Sequence, residues 1–205
     1  MKQILLLLSM MLSLQMFSQR DTREILDAEQ VRNIHIDTDE VFKIEVLSSK
    51  SPGIRIKTHS EGEYYDEIIL ETRIIDKTLM ITTRYPQILS GGYDKLSAHK
   101  VFSLEIEIEL PENLYLTVDS NIASLITHGK FRTVQVNLNQ GYCQLFDFTG
   151  SAVVNTYYGN IMVETSIGKI EANSRNGNVN ISELLPGRNS IKLNSVDGNI
   201  LVRKN

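Results

Sequence analysis

The chain has 205 residues, 21 Lys+Arg against 25 Asp+Glu, and a formal net charge of −4. Its basic residues are scattered, which leaves no electrostatic footprint for nucleic acid or for an anionic membrane surface. The single cysteine, Cys143, excludes an internal disulfide and any multi-cysteine metal centre within one chain.

In chain order, Lys2, the mostly apolar stretch Ile4 to Phe17 and the small Ser18 read as a cleavable signal peptide over residues 1–18. The expected product is an exported chain, in the periplasm, at the cell surface or secreted. The apolar stretch falls short of the roughly 18 to 20 residues that a spanning helix needs, and no later stretch is apolar enough to cross a bilayer. No cysteine follows the leader to carry a lipid.

A weak helical signal covers Thr22 to Val31. From Val31 to Leu110 the dominant period is two, which predicts half-buried strands at Ile34-His35-Ile36, Phe42 to Val46, Ile54 to Lys57, Leu79 to Thr82 and Phe102 to Leu110. Turns are expected at Ser48 to Gly53, Ser60-Glu61-Gly62 and Ser90-Gly91-Gly92, and Pro111 stops the last strand. Residues 19–110 thus form an N-terminal β-strand region, expected to cap the C-terminal half of the chain.

Residues 111–205 carry a repeat. Gly141, Gly159 and Gly177 are 18 apart, Gly198 follows after 21, and Ala123 precedes Gly141 by 18. Four residues ahead of these positions stand Asp119, Asn137, Asn155, Asn173 and Asn194. Two columns further back are apolar in every copy: Leu116, Val134, Ala152, Ile170 and Ile191, then Val118, Val136, Val154, Ala172 and Leu193. Beyond the glycine, Leu125, Cys143, Ile161, Val179 and Ile200 face one way, followed two residues on by Thr127, Leu145, Val163, Ile181 and Val202. Eighteen residues broken by Gly and Asn cannot hold a helix pair, so the expected fold is all-β. It is a β-solenoid, a single-stranded β-helix of about five coils of 18–21 residues, with one shared apolar interior. The extra residues of the longest repeat, at Gly187 to Ser190, should leave the stack as a loop.

The Leu110-Pro111 strand end, Val118-Asp119-Ser120 and the motifs Tyr158-Gly159-Asn160-Ile161, Asn176-Gly177-Asn178-Val179 and Asp197-Gly198-Asn199-Ile200 resemble the bacterial "putative adhesin" (head-GIN-like) families. The resemblance spans roughly Val31 to Val202. It implies an exported β-solenoid domain of the cell envelope. The chain departs from the Gly-Asn pattern at Ala123-Ser124 and Gly141-Tyr142.

Candidate chemistry is sparse. Asn137, Asn155, Asn173 and Asn194, with Gly141, Gly159, Gly177 and Gly198, read as a structural ladder at turns of positive φ. Cys143 reads as a small buried hydrophobe, with intermolecular pairing as the alternative. His35, His59, His99 and His128 lack metal-site spacing. No nucleophile elbow, phosphate loop or dinucleotide fingerprint is present. Glu105, Glu107 and Glu109 share one strand face, which offers a carbohydrate-cleaving arrangement or, more simply, a solvated face that discourages edge pairing. Tyr142, Tyr157 and Tyr158, with Asn139 and Arg175 in adjoining copies, place aromatic rings beside amides and a guanidinium, the makings of a glycan- or protein-binding surface. The outward column Ile126, Gln144, Met162, Asn180 and Leu201 is unexpectedly apolar. No catalytic residue, cofactor or metal is assigned. The leading expectation is a non-enzymatic envelope-binding protein, against a carbohydrate-active enzyme or an end-to-end polymer. Against the polymer, Arg203 and Lys204 would guard the last strand edge.

Overall fold

A computed structural model describes residues 19–62, 68–84, 102–183 and 185–205. The leader, the Ser90-Gly91-Gly92 turn and His99 lie outside the described residues. Every described element is a strand, and the strands form one mixed 15-stranded sheet.

The first strands are β1 (Gln19–Asp27), β2 (Asn33–Thr38), β3 (Lys43–Ser49), β4 (Gly53–Gly62), β5 (Ile69–Ile75), β6 (Thr78–Arg84), β7 (Phe102–Pro111) and β8 (Tyr115–Ile122). They are followed by the long β9 (Ser124–Gln140) and β10 (Cys143–Tyr158), then β11 (Ile161–Glu164), β12 (Lys169–Ser174), β13 (Val179–Ile181), β14 (Ser190–Asp197) and β15 (Ile200–Arg203). One ladder runs β1-β4-β7-β3 and continues through the first halves of β9 and β10 to β11, β15 and β13. The other runs β5-β6-β2-β8 and continues through the second halves of β9 and β10 to β14 and β12. The two long strands pass from ladder to ladder. Gly129, at φ 99°, marks the crossing in β9, and Asp147 and Gly150, at 46° and 146°, mark it in β10.

The columns read from sequence are paired in register. Leu116 opposes Val134, Val134 opposes Ala152, and Ala152 opposes Ile191, all parallel. Leu125, Cys143, Ile161 and Ile200 are aligned likewise on the other ladder. These side chains belong to one contiguous apolar cluster that also takes in Ile34, Ile44, Ile81 and Ile106 of the N-terminal strands. The reason is geometric: in-register parallel strands about 4.8 Å apart place equal columns directly over one another, so each rung closes the core of the next.

The order of the rungs does not follow the chain. β14 lies between β10 and β12, and β15 lies between β11 and β13. The last repeat is therefore inserted beneath the one before it, and the outermost rung is β12–β13. Residues 165–168 climb two spacings, about 9.6 Å, which four extended residues can span. The loop holding Gly187 then brings the chain back, with the Gly168 amide donating to the Pro186 carbonyl at 2.8 Å. The same exchange occurs at the other end. β2 and β3 pair with β8 and β9, while the later β6 and β7 sit outside them. Beyond those, β5 pairs antiparallel with β6, β4 with β7, and β1 with β4.

Several expectations are corrected. Thr22 to Val31 is not a helix: nine residues of β1 pair with β4, and this tertiary pairing overrides a weak local preference. Ser60, Glu61 and Gly62 are the end of β4, pairing with β7, rather than a turn. Phe42 leaves the alternating pattern because β3 starts at Lys43, and it is 64% exposed. Arg203 and Lys204 guard no outer edge, since β15 is flanked on both sides.

Candidate functional site: an aromatic corner

The chain turns from the second ladder into the first at one corner of each rung, and the glycine column lies on that corner. A Cβ added at Gly159 would stand 1.8 Å from the Gly141 carbonyl oxygen, one at Gly198 would stand 2.0 Å from that of Gly159, and one at Gly177 would stand 2.1 Å from that of Gly198. Close approach between rungs, not backbone sign, demands glycine here. Of the four, only Gly141 has a positive φ, at 119°, and none of the ladder asparagines has one. Hydroxyls behind the corner complete its bonding: Thr156 and Ser195 both donate to the Gly159 carbonyl, at 2.9 and 3.2 Å.

Two amide ladders flank the glycines. On the second ladder of strands Asn137 donates to Asp119 at 2.7 Å, Asn155 to Asn137 at 2.9 Å, and Asn194 to Asn155 at 3.0 Å. Asn173 pairs in register with Asn194 on the outermost rung. The second run follows the glycine and was not singled out from sequence, although the Gly-Asn motif carries it. There the Asn199 amide nitrogen donates to the Asn160 side-chain oxygen at 2.8 Å, and that of Asn178 donates to Asn199 at 2.9 Å.

Tyr142 occupies the rung position equivalent to Asn160, at the head of that second run, and it is exposed together with Tyr157 and Tyr158. The Tyr157 and Tyr158 rings meet edge to face with centroids 4.6 Å apart. The neighbouring Tyr157 phenol, burial and Asp197 raise the pKa of Tyr158, so its hydroxyl stays protonated and able to donate. Asn139 donates to Asn121 at 2.9 Å beside them. Arg175 stands elsewhere: the inserted last repeat puts Val196 and Asp197 next to the tyrosines and moves Arg175 a further rung away. Phe42 and Ile122, both exposed, lie on the same corner in the two rungs before Tyr142. Phe42 and Tyr142 are two rungs apart, roughly 10 Å. Alternation predicts a buried face for Phe42, and no pattern in the sequence marks Ile122. The corner is therefore a strip of apolar and aromatic side chains about four rungs long, edged by amides.

The carboxylate face is organised differently. Glu105, Glu107 and Glu109 of β7 lie opposite His59, Lys57 and Arg55 of β4. Glu105 pairs with Lys43 at 2.8 Å and Glu107 with Lys57 at 3.3 Å, while Glu109 accepts from Ser49 at 2.7 Å and pairs with Arg55. The Ser49 hydroxyl, then the Arg55 guanidinium, hold Glu109 below the usual carboxylate range, and Glu105 raises Lys43. A shallow groove of about 400 Å³ crosses this face, lined by Arg23, Arg55, Lys57, Glu45, Glu107 and Glu109. A carboxylate held as an anion in this way, as Glu109 is, is poorly suited to act as a general acid, which needs a raised pKa.

Of the histidines, His35 bonds Asp119 at 2.9 Å, His59 bonds Asp21 at 2.6 Å and Glu61 at 2.8 Å, and His128 stacks on Phe146. Among the described residues no group of three or more His, Cys, Asp or Glu could hold a metal ion, and no helix is long and apolar enough to cross a membrane. Cys143 is buried, and burial pushes its thiol up to about 12. The outward column Ile126, Gln144, Met162 and Leu201 is half-buried on the outer face of the first ladder, in line with Glu45 of β3.

In fold the chain is similar to a solved structure described as a "putative cell adhesion protein" from Clostridium sporogenes ATCC 15579. The TM-score is 0.68 at 15% identity, over 91% of this chain and 100% of that one. A "putative adhesin" from Bacteroides fragilis NCTC 9343 aligns over 91% of this chain and 97% of its own at 12% identity, with a TM-score of 0.43. At 15% identity the first likeness is one of fold alone. No family model matches the chain, and no curated protein matches it.

Proposed function

We propose that the chain is an exported, non-enzymatic, adhesin-like protein of the cell envelope that binds an envelope glycan or protein along its aromatic corner. The stack is read as a β-solenoid whose repeats present that corner, with residues 19–110 opening and capping it and residues 1–18 acting as a cleaved leader. The observation that carries the reading is the strip of Phe42, Ile122, Tyr142, Tyr157 and Tyr158, all exposed on one edge of a scaffold locked by hydrogen-bonded amide ladders. Exposed aromatic rings beside amides suit the apolar faces and hydroxyls of sugars, and a rigid backbone lowers the ordering cost of binding. The similarity of fold to a protein described in terms of cell adhesion agrees with this reading.

The test is a binding screen of the exported chain against envelope glycans and envelope proteins, repeated with Tyr157→Ala and Tyr158→Ala. Binding that falls at least tenfold in these variants, with the thermal midpoint kept, supports the reading. Turnover of a polysaccharide that is lost on Glu107→Gln would replace it with the carbohydrate-active alternative.

A further inference from the structure

The β12–β13 rung has a neighbour on one side only. β12 pairs with β14 and β13 with β15, and among the described strands none lies beyond them. The inward columns that every interior rung closes stand open here. Val179 and Ile181 are 42% and 39% exposed, whereas Ile161, Ile200, Val163 and Val202 in the same columns are at 1% or less. Two unpaired strand edges thus lie side by side over an uncovered apolar seam. No proline interrupts them and no charged side chain occupies an inward position; the charges of β12, Lys169 and Glu171, stand on its outward face. The opposite end of the stack differs in kind: its outer strands run antiparallel, and the edge strand β1 carries Arg20, Asp21, Arg23 and Glu24. It offers no continuation of the β12–β13 pattern.

We propose that the β12–β13 end takes a second copy of this chain, end to end, about a two-fold axis normal to the strand ladders. Such an axis turns each edge strand antiparallel to its own copy and keeps each ladder in line with its counterpart, so both edges pair at once. Counted from the corner at Gly177, Asn173 and Ile181 are each four residues away, and one axis passes both. In that register Asn173 of one copy faces Asn173 of the other at the end of the amide ladder, while Ile181 faces Ile181 across the seam and Val179 stands opposite Glu183, whose carboxylate is drawn aside by Lys204 at 3.7 Å. Glu171 and Arg175, on the same outer face as Asn173, then stand opposite Arg175 and Glu171 of the second copy, giving two unlike pairs. Within its own copy Glu171 is held by Lys169 at 3.3 Å and Lys192 at 3.7 Å, whereas Arg175 makes no ion pair among the described residues. Moving the axis to Glu171 would oppose two carboxylates, which disfavours that register. The result is a closed dimer rather than a fibre, because each copy has one such end.

The experiment measures the mass of the exported chain in solution by light scattering against concentration, together with disulfide trapping. The expected result is a dimer that dissociates on dilution and that Arg175→Glu abolishes, since Glu171 then meets a second carboxylate. The double variant Glu171→Arg with Arg175→Glu restores it. Asn173→Cys cross-links between copies under mild oxidation, because directly opposed residues of antiparallel strands lie within disulfide reach. Gln135→Cys, exposed on an interior rung, does not cross-link. Arg175→Glu is on the surface, and a retained thermal midpoint separates lost association from lost folding. A monomer at every concentration, mass growing beyond two copies, or a dimer indifferent to Arg175→Glu would each overturn the proposal.

Discussion

The Asn194 side-chain amide donates to the Asn155 oxygen at 3.0 Å, reaching across 39 residues of sequence and past Asn173. That bond records the exchange of the last two repeats. Asn155 accepts from Asn194 and donates to Asn137 at 2.9 Å, so it ties three rungs together. Asn155→Ala removes the donor and the acceptor from a half-buried line of amides. It is expected to cost about 1 to 2 kcal/mol, read as a lower denaturant midpoint with an unchanged slope.

Gly159→Ala is expected to cost far more. Its Cβ would sit 1.8 Å from a backbone oxygen that belongs to a rung locked on its far side, so neither partner can move away cheaply. A loss of about 3 kcal/mol or more is anticipated. Ala123→Gly, at the same place in the first repeat, should cost only about 1 kcal/mol, mainly through chain entropy. Thermal melts of the two variants test the difference.

Ending the chain at Asn199 removes β15, an interior strand. Ile161 and Val163 then lose their cover, and β13 loses the only described strand that pairs with it. The buried Ile200 and Val202 alone make this a loss on the order of 5 kcal/mol. Limited proteolysis should then cut within residues 169–181, a segment that stays protected in the full chain.

His59 makes the β1 edge sensitive to pH. Hydrogen bonds that its ring donates to Asp21 first and Glu61 second raise it from 6.5 to about 8. A raised pKa means that the stabilisation is complete below 6.5 and is lost as pH climbs through about 8. Hydrogen exchange of β1 amides, corrected for the intrinsic rate, should accelerate over that interval. His59→Gln should remove the pH dependence.

With its thiol pushed up to about 12, Cys143 has almost no thiolate near neutrality, and it is fully enclosed. Thiol reagents at pH 8 are expected to label it only at the rate of unfolding. Fast labelling of the native chain would contradict its place in the core.

The inward columns were legible because parallel, in-register pairing repeats the same environment at each rung: Leu116, Val134 and Ala152 must all be apolar for any one of them to be dry. The same logic misled at two places. Val179 and Ile181 carry the core pattern but lie on the outermost rung, and Arg203 and Lys204 carry an edge pattern beside an interior strand. Phe42 carries the alternating pattern yet faces solvent, because alternation does not reveal that the strand begins at Lys43. The aromatic corner was half visible: its three tyrosines stand out in sequence, but Phe42 and Ile122 join them only through rung pairing, and the inserted repeat separates Arg175 from them.

The sequence by itself determined that the repeat region is all-β, where its glycines fall, and which columns of the repeat are apolar. These depend on period, residue size and local bonding, which are properties of short stretches. Only the tertiary structure decided which rung lies next to which, and hence where the stack ends. Every repeat offers its neighbours nearly the same apolar columns and amides, so a local pattern cannot tell one neighbour from another. The choice is made by the reach of residues 165–168 and of the loop at Gly187, and by the burial gained when β14 and β15 are covered on both sides.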